Sequence, residues 1–380
     1  MNESFQRRLD KELNRLREDN RFRQTRLYRE CRLDLSSNDY FQLRYHPAVQ
    51  EAVLRATRQQ GTGSGASPLL SGFHESHERL LRGLMEWKQK PAGMLFNTGF
   101  MANQALLTHL PQKNDLVLAD RLVHHSMAQA LGRGSFRFMR YPHLDLDRLE
   151  ELLDNHHKEY DTVFVVTESV FSMDGDFPNL GRLAELRTHY GFVLILDEAH
   201  GTGVYGPTGA GLAQEAGILD QVDILVGTLG KALASMGAYV LTHSQTIVDY
   251  LTNMAGEYIF STFLPPAQAE CALEAMRILQ NAAEERSALR ERSIWFRERL
   301  HDCGFSVPGL DSPIIPIILG ESAEAVRVRD RFWDQRILVG AVRPPTVPQG
   351  TARLRLSLHS RVTERELEEV LTLLNEFRKI

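Results

Sequence analysis

Seven short apolar runs, separated by segments with helical spacing, constrain this chain more than any other feature. They are Gly93–Phe96, Leu116–Ala119, Phe136–Tyr141, Thr162–Thr167, Phe192–Leu196, Ile224–Val226 and Ala238–Leu241. Helical periodicity lies between them at Met101–Leu110, Ser126–Gly132, Asp147–Asn155 and Leu180–Tyr190. Strands that alternate with helices predict βαβ units, hence an α/β domain with a mainly parallel, seven-stranded sheet. Runs such as VFVVT and FVLIL are apolar at every position, as strands covered by helices on both faces must be.

The flanking texture is different. Residues 3 to 30 read as one arginine-rich amphipathic helix, with nine arginines between Arg7 and Arg32. This is either a solvated face laced with ion pairs or a basic lip for a phosphorylated or acidic acyl carrier. After Pro265-Pro266 a long helical stretch, Ala267–Cys303, leads into strands 314–319, 337–342 and 352–358, with helix 323–335 among them and helix 363–378 at the end. The expected division is an N-terminal helix and arm (1–45), a large α/β domain (46–265) and a smaller C-terminal α+β domain (266–380). A net charge of −5 and a pI near 6.3 weigh against a nucleic-acid surface. Three widely spaced cysteines without C-x-x-C argue against a disulfide framework or a cysteine zinc site. No apolar run approaches a membrane span, and the charged start lacks a signal core. A cytoplasmic protein without membrane or nucleic-acid partners is expected, and no metal site.

The residues able to do chemistry fall at the C-terminal ends of the predicted strands, where open α/β sheets bind ligands. Lys231 stands alone as a charge in an apolar stretch, on a Gly-containing turn between two strands. Burial there would lower its pKa and yield a nucleophilic amine; the alternative is a lysine that snorkels from a strand end. Asp197 follows four apolar residues. It would suit a cationic partner such as a protonated pyridine nitrogen, or cap a loop. His200, three residues on, can reach a ring oxygen or serve as an ordinary loop histidine. His124 is placed to lie over a planar ring, and a metal pair with His125 lacks a third ligand. FNTGF (Phe96–Phe100) joins a glycine turn to a helix N-terminus, which makes an anion site or a plain βα loop. Glu168 and Ser172 can face the same cleft, and Thr228 offers a hydroxyl to a phosphate. Gly201, Gly203 and Gly206 spell GxGxxG after a strand, but a loop at Pro207–Gly211 follows where a dinucleotide site requires a helix.

In chain order, GTGSGASPLLSGFHESHERL, TGFMANQAL, ADRLVHHS, TESVFSMDGD, DEAHGTGVYGPTGAG, TLGKALASMGAYVL, FSTFLPPAQ and RPPTVPQGTARLRLSL resemble the blocks of the α-oxoamine synthases. That family is a branch of the fold-type I transferases that use pyridoxal 5'-phosphate (PLP). The resemblance implies PLP in a Schiff base with Lys231, its pyridine nitrogen paired with Asp197 and its ring oxygen with His200. His124 is then implied to stack on the ring and act catalytically. Gly99, Phe100, Ser172 and Thr228 are implied as cofactor contacts. Ser261 and Thr262 would reach the phosphate of the neighbouring subunit in a homodimer with shared sites. Asn38 and Arg343 would hold the amino acid carboxylate, and Thr346 and Arg23 would contact substrate. The implied reaction is decarboxylative condensation of L-alanine with a pimeloyl thioester, carried by CoA or acyl carrier protein, in biotin synthesis. The alternative is a branch that uses glycine or serine with another acyl thioester. A more distant one is a non-catalytic protein of the same fold, against which Lys231, Asp197, His200 and His124 together weigh. The chain departs from the family pattern at Ala232 and Ala234, at Ser169, and in a shortened segment between Arg23 and Leu33.

Overall fold

The computed structural model describes residues 2–378. Seven strands build its main sheet: β1 (Ala92–Phe96), β2 (Leu116–Asp120), β3 (Arg137–Tyr141), β4 (Val163–Glu168), β5 (Val193–Asp197), β6 (Ile224–Thr228) and β7 (Ala238–Thr242). Their order is β1-β7-β6-β5-β4-β2-β3. Strand β7 runs antiparallel to β1 and β6, and every other pairing is parallel. Each expected run becomes a strand. Several reach a residue or two further at the C-terminal end, which brings Asp120, Glu168, Asp197 and Thr228 into the sheet. Leu118, Val165, Leu194 and Leu225 in its middle are fully buried, each such side chain contributing roughly 1.5–3 kcal/mol.

The chain divides into two compact units. One comprises Asn38–Ser172 and Asp176–Ala288 and holds the seven-stranded sheet; the other is formed by the remaining described residues. This departs from the boundary expected at 265/266. Helix Pro266–Gln280 belongs to the first unit because it packs on helices Pro47–Gln60 and Glu75–Trp87. It buries Ala269, Ala272, Leu273, Met276 and Leu279, a stripe at helical spacing that needs a partner face. Pro265-Pro266 therefore marks a helix start, where proline is favoured, and not a domain edge. The stretch expected as one helix from 267 to 303 is broken at Asn281-Ala282 into Pro266–Gln280 and Ala283–Asp302. Helices Gln245–Met254 and Gly256–Ile259 had no counterpart in the sequence reading.

In the other unit, helix Glu3–Glu18 is shorter than the expected 3–30. Asn20 turns into the left-handed region (φ 54°), and the N–H groups of Arg21 and Phe22 fold back onto the Leu16 carbonyl at 2.8 and 2.9 Å, closing the helix as a C-cap does. Strands Gly340–Val342, Ala352–Ser357 and Ile314–Gly320 form an antiparallel sheet, and Leu33–Asp34 pairs in parallel with Ile337–Leu338. The single strand expected over 337–342 is thus two short strands in two sheets. Among the described residues no helix is long and apolar enough to cross a membrane.

Candidate active site

Register sets the rim of the main sheet. Parallel pairing of β4 with β5 places Glu168 directly beside Asp197, and Thr228 closes β6. Two adjacent buried carboxylates cannot both be charged cheaply, and the structure treats them differently. Asp197 accepts the Asn103 Nδ2–H and the Ala199 backbone N–H, each at 2.9 Å. Glu168 accepts the His124 backbone N–H at 2.5 Å. Burial, and then the neighbouring Asp197, push Glu168 up to about 8. The rim therefore holds one carboxyl group met by two neutral donors and one, Glu168, whose burial beside Asp197 disfavours its charged form.

His124 is the N-cap of helix His125–Leu131. Its Nδ1 lies 2.7 Å from Ser126 Oγ and 3.3 Å from the Ser126 backbone nitrogen. Loss of hydration on the protein side holds its pKa below the ordinary value, and Lys231 adds in the same direction. Both His124 and Glu168 feel the charges of Asp197 and Lys231, so these four groups form one cluster. His200 is buried three residues beyond Asp197, its Nδ1 2.6 Å from the hydroxyl of fully buried Tyr40.

The lysine sits in a tight β6–β7 connection. Leu229 N–H bonds the Gly237 carbonyl, Ser235 N–H the Leu229 carbonyl, and Ala234 N–H the Lys231 carbonyl, at 2.8–2.9 Å. Thr228 stitches the turn: its hydroxyl donates to the Gly237 carbonyl and accepts from Gly230 N–H, both at 3.1 Å. Ala234 is left-handed (φ 51°), which costs a non-glycine residue about 1 kcal/mol. Here the departure noted in the sequence acquires a physical meaning.

Next to Thr228 begins helix Gly99–His109, capped by the Thr98 hydroxyl, which accepts from Met101 N–H at 3.1 Å. A Cβ built on Gly99 would meet only Thr228 Cβ, at 3.9 Å. The space between the helix start and Thr228 is therefore open to a group that binds first-turn N–H donors. Asn97 Nδ2 donates to Ser261 Oγ at 2.8 Å and to the Thr262 carbonyl at 2.7 Å, which fastens that segment to the same rim within one chain. Asn38, Ser172 and Lys231 are half-buried in this unit, and Phe100 is exposed. These features fit PLP. There is an anion cradle at Gly99 and Thr228, a buried carboxylate with no cation among its hydrogen-bond donors to match a protonated ring nitrogen, and an amine on the adjoining turn.

The GxGxxG stretch is a loop, as its sequence implied; the next helix begins only at Leu212. Its glycines have packing roles. Gly206 has φ 88°, and a Cβ there would lie 2.5 Å from Gln214 Oε1; one on Gly201 would lie 2.4 Å from Glu198 Oε2, whose carboxylate accepts the N–H groups of Leu212 and Ala213 at 3.1 and 2.7 Å.

The remaining expected substrate residues lie in the other unit. Arg23 Nη2 donates to Thr346 Oγ1 at 3.3 Å, and Arg343 Nη1 to the Asn20 carbonyl at 2.7 Å. Arg17, Arg23, Arg26, Arg329 and Arg343 line a cavity of about 390 Å³. Burial, and then Arg329, Arg23 and Arg26, hold Arg343 below its ordinary pKa, the mark of an electropositive pocket.

Sequence reasoning did not single out Tyr40, Asn103 or Ser126. One signal was available for Asn103. With Gln104, it interrupts the buried, otherwise apolar run Ala102–Leu107 of its helix, and a buried amide demands partners.

The model of the class I and II aminotransferase family matches residues 32–374. The chain is 39% identical over 340 residues to an 8-amino-7-oxononanoate synthase of Geotalea daltonii, covering 89% of this chain and 86% of that protein. It is 40% identical over 338 residues to one of Geobacter sulfurreducens, covering 88% and 85%. Among solved structures, it resembles the 8-amino-7-oxononanoate synthase of Francisella tularensis with TM-score 0.79 and 29% identity, covering 91% of this chain and 98% of that one. It also resembles a serine palmitoyltransferase of S. paucimobilis with a bound PLP–myriocin aldimine, with TM-score 0.86 and 27% identity, covering 90% and 86%. With the fold, the rim and the relatives in agreement, the chain belongs to the 8-amino-7-oxononanoate synthase family, within the class I and II aminotransferases.

Proposed function

We propose that this protein is a PLP-dependent acyltransferase that condenses L-alanine with a pimeloyl thioester, releasing CO2, free carrier and 8-amino-7-oxononanoate for biotin synthesis. The observation that carries the reading is the single cluster of Asp197, Glu168, His124 and Lys231 on the C-terminal rim of the sheet, in a chain whose relatives bear this activity's name.

PLP, when bound, supplies an electron sink for a carbanion at the amino acid Cα. The chain's own residues do the rest. Lys231 anchors the cofactor and then, as a free amine, removes the Cα proton and later returns one. Asp197 supplies the fixed negative charge that keeps a ring nitrogen protonated, and Asn103 and Ala199 hold it in place. His200, backed by Tyr40, faces the ring oxygen. Gly99, Phe100, Ser172 and Thr228 hold the phosphate end, joined in a homodimer by Ser261 and Thr262 of the neighbouring chain. His124 covers the ring and donates to substrate. Asn38 and Arg343 bind the alanine carboxylate, Arg343 through charge-assisted hydrogen bonds. Arg23 and Thr346 contact the acyl substrate, and the arginine-lined cavity suits an anionic carrier, CoA or acyl carrier protein.

The test is direct. Purified protein is incubated with alanine, glycine or serine and either pimeloyl-CoA or pimeloyl-acyl carrier protein, and product mass is measured. The reading expects 8-amino-7-oxononanoate from alanine. Efficient product from glycine or serine alone would move the protein to another branch.

A further inference from the structure

A chain of hydrogen bonds runs from Asp197 to His124, and its direction is fixed from one end. Asp197 accepts from Ala199 N–H and from Asn103 at 2.9 Å each, its oxygens acting as acceptors in both bonds. The Asn103 atom facing it is therefore the amide nitrogen. That nitrogen's second hydrogen points to Ser126 Oγ at 3.1 Å. Ser126 Oγ thus accepts a hydrogen bond from Asn103, and its own hydroxyl hydrogen is left for the other neighbour, His124 Nδ1 at 2.7 Å. The Ser126 backbone N–H, an obligatory donor, is aimed at the same ring nitrogen from 3.3 Å. A hydrogen on Nδ1 would face this N–H, which adds to the preference that the closer hydroxyl sets for a lone pair at Nδ1.

Asn103 and Ser126 are buried, as is Asp197, so water does not readily replace the links among these three, whereas His124 at the end of the hydrogen-bond chain is exposed. The Glu168 carboxyl holds the His124 backbone N–H, fixing where the ring begins. The only nitrogen left to carry the neutral ring's hydrogen is Nε2. Two donors on Nδ1 and a helix N-terminus beneath it both oppose a second ring proton, in line with the lowered pKa of His124.

We propose that Asn103 and Ser126 are positioning residues that lock His124 as the neutral Nε2–H tautomer and tie it to the Asp197 carboxylate, so that the ring presents an N–H donor to the substrate. The inference rests on the functional reading for what Nε2–H meets, but the lock itself is a property of the protein alone. Its use is clear from the chemistry. A thioester carbonyl under attack gains negative charge on oxygen, and a preoriented N–H stabilises that charge as it forms. A histidine free to exchange tautomers would offer a lone pair part of the time.

The experiment is 15N NMR of the holoenzyme labelled with [15N]histidine, with the His124 signals identified by their loss in His124→Asn. The expected result is a pyridine-like Nδ1 and a pyrrole-like Nε2 that persist across the pH range in which exposed histidines titrate. Ser126→Ala removes the hydroxyl donor. It is expected to give averaged tautomer shifts and a kcat reduced roughly tenfold, with KM for the amino acid little changed; Ser126→Thr, which keeps the hydroxyl, is expected to restore the locked signature. A pyrrole-like Nδ1 in the wild type overturns the proposal, as does a Ser126→Ala protein that keeps both the locked signature and full turnover. If the wild type shows the lock but yields no 8-amino-7-oxononanoate, the functional reading fails and the tautomer assignment stands.

Discussion

Asp197 is the residue whose charge the proposed chemistry uses most directly. Asp197→Asn keeps the size and the hydrogen-bonding reach but removes the fixed negative charge. The variant is expected to bind PLP and to lose turnover by roughly 10²-fold or more, the scale on which preorganised charge acts in such sites. Cofactor absorbance together with kcat checks this, and retained activity would remove Asp197 from its role. Lys231, Asp197, His200 and His124 could be named as candidates from the sequence because each stands out locally. Asp197 ends an apolar run and the other three follow one within a few residues, where burial of a polar group is expensive without a purpose. Tyr40, Asn103 and Ser126 were not legible. Their partners lie 160, 94 and 23 residues away along the chain, and only the folded sheet brings them together.

At the level of elements, two turns carry the argument. The β6–β7 connection places Ala234 at positive φ. Ala234→Gly relieves that strain while adding some unfolded-state entropy, so a net gain of at most about 0.5 kcal/mol is expected in chemical denaturation. At the start of helix Gly99–His109 the expectation is inverted. Gly99→Ala meets nothing closer than Thr228 Cβ at 3.9 Å, so the fold should tolerate it. The added methyl points into the proposed phosphate cradle, so PLP affinity should drop about tenfold, read by cofactor titration.

A third element, the loop after β3, holds His143 between Asp120 at 2.9 Å and Asp176 at 3.1 Å. Burial opposes its charge, but these bonds prevail and raise its pKa to about 10. A histidine whose folded pKa lies above its unfolded value stabilises fully below about 6.5, and that contribution is lost as pH rises through about 10. Denaturation midpoints should therefore fall across that window, and His143→Gln should flatten the slope. The strands themselves were legible because apolar runs of this kind admit few alternatives. Their C-terminal extensions were not, since Asp120, Glu168 and Asp197 are polar and enter the ladder only through backbone pairing.

For the whole molecule, the sequence showed two textures but misplaced the change between them. Pro265-Pro266 is a strong local signal, yet the helix it starts buries its stripe on the first unit, and no local pattern reveals which face a helix will choose. The arginine-rich start carries the spacing of one long helix, and charge spacing does not reveal the left-handed Asn20 that ends it. Arg17, Arg23 and Arg26 of that stretch gather with Arg329 and Arg343 around one cavity. If that pocket receives the anionic acyl carrier, KM for the thioester should rise with ionic strength more than KM for zwitterionic alanine, which steady-state kinetics at low and high salt would measure. The central claim is that one lysine among the chain's many amines carries the cofactor. Borohydride reduction of the PLP-loaded protein, followed by peptide mass mapping, tests it most directly. The account predicts a single pyridoxyl adduct on Lys231, absent from a colourless Lys231→Ala; an adduct on any other lysine, or unchanged colour in that variant, would contradict it.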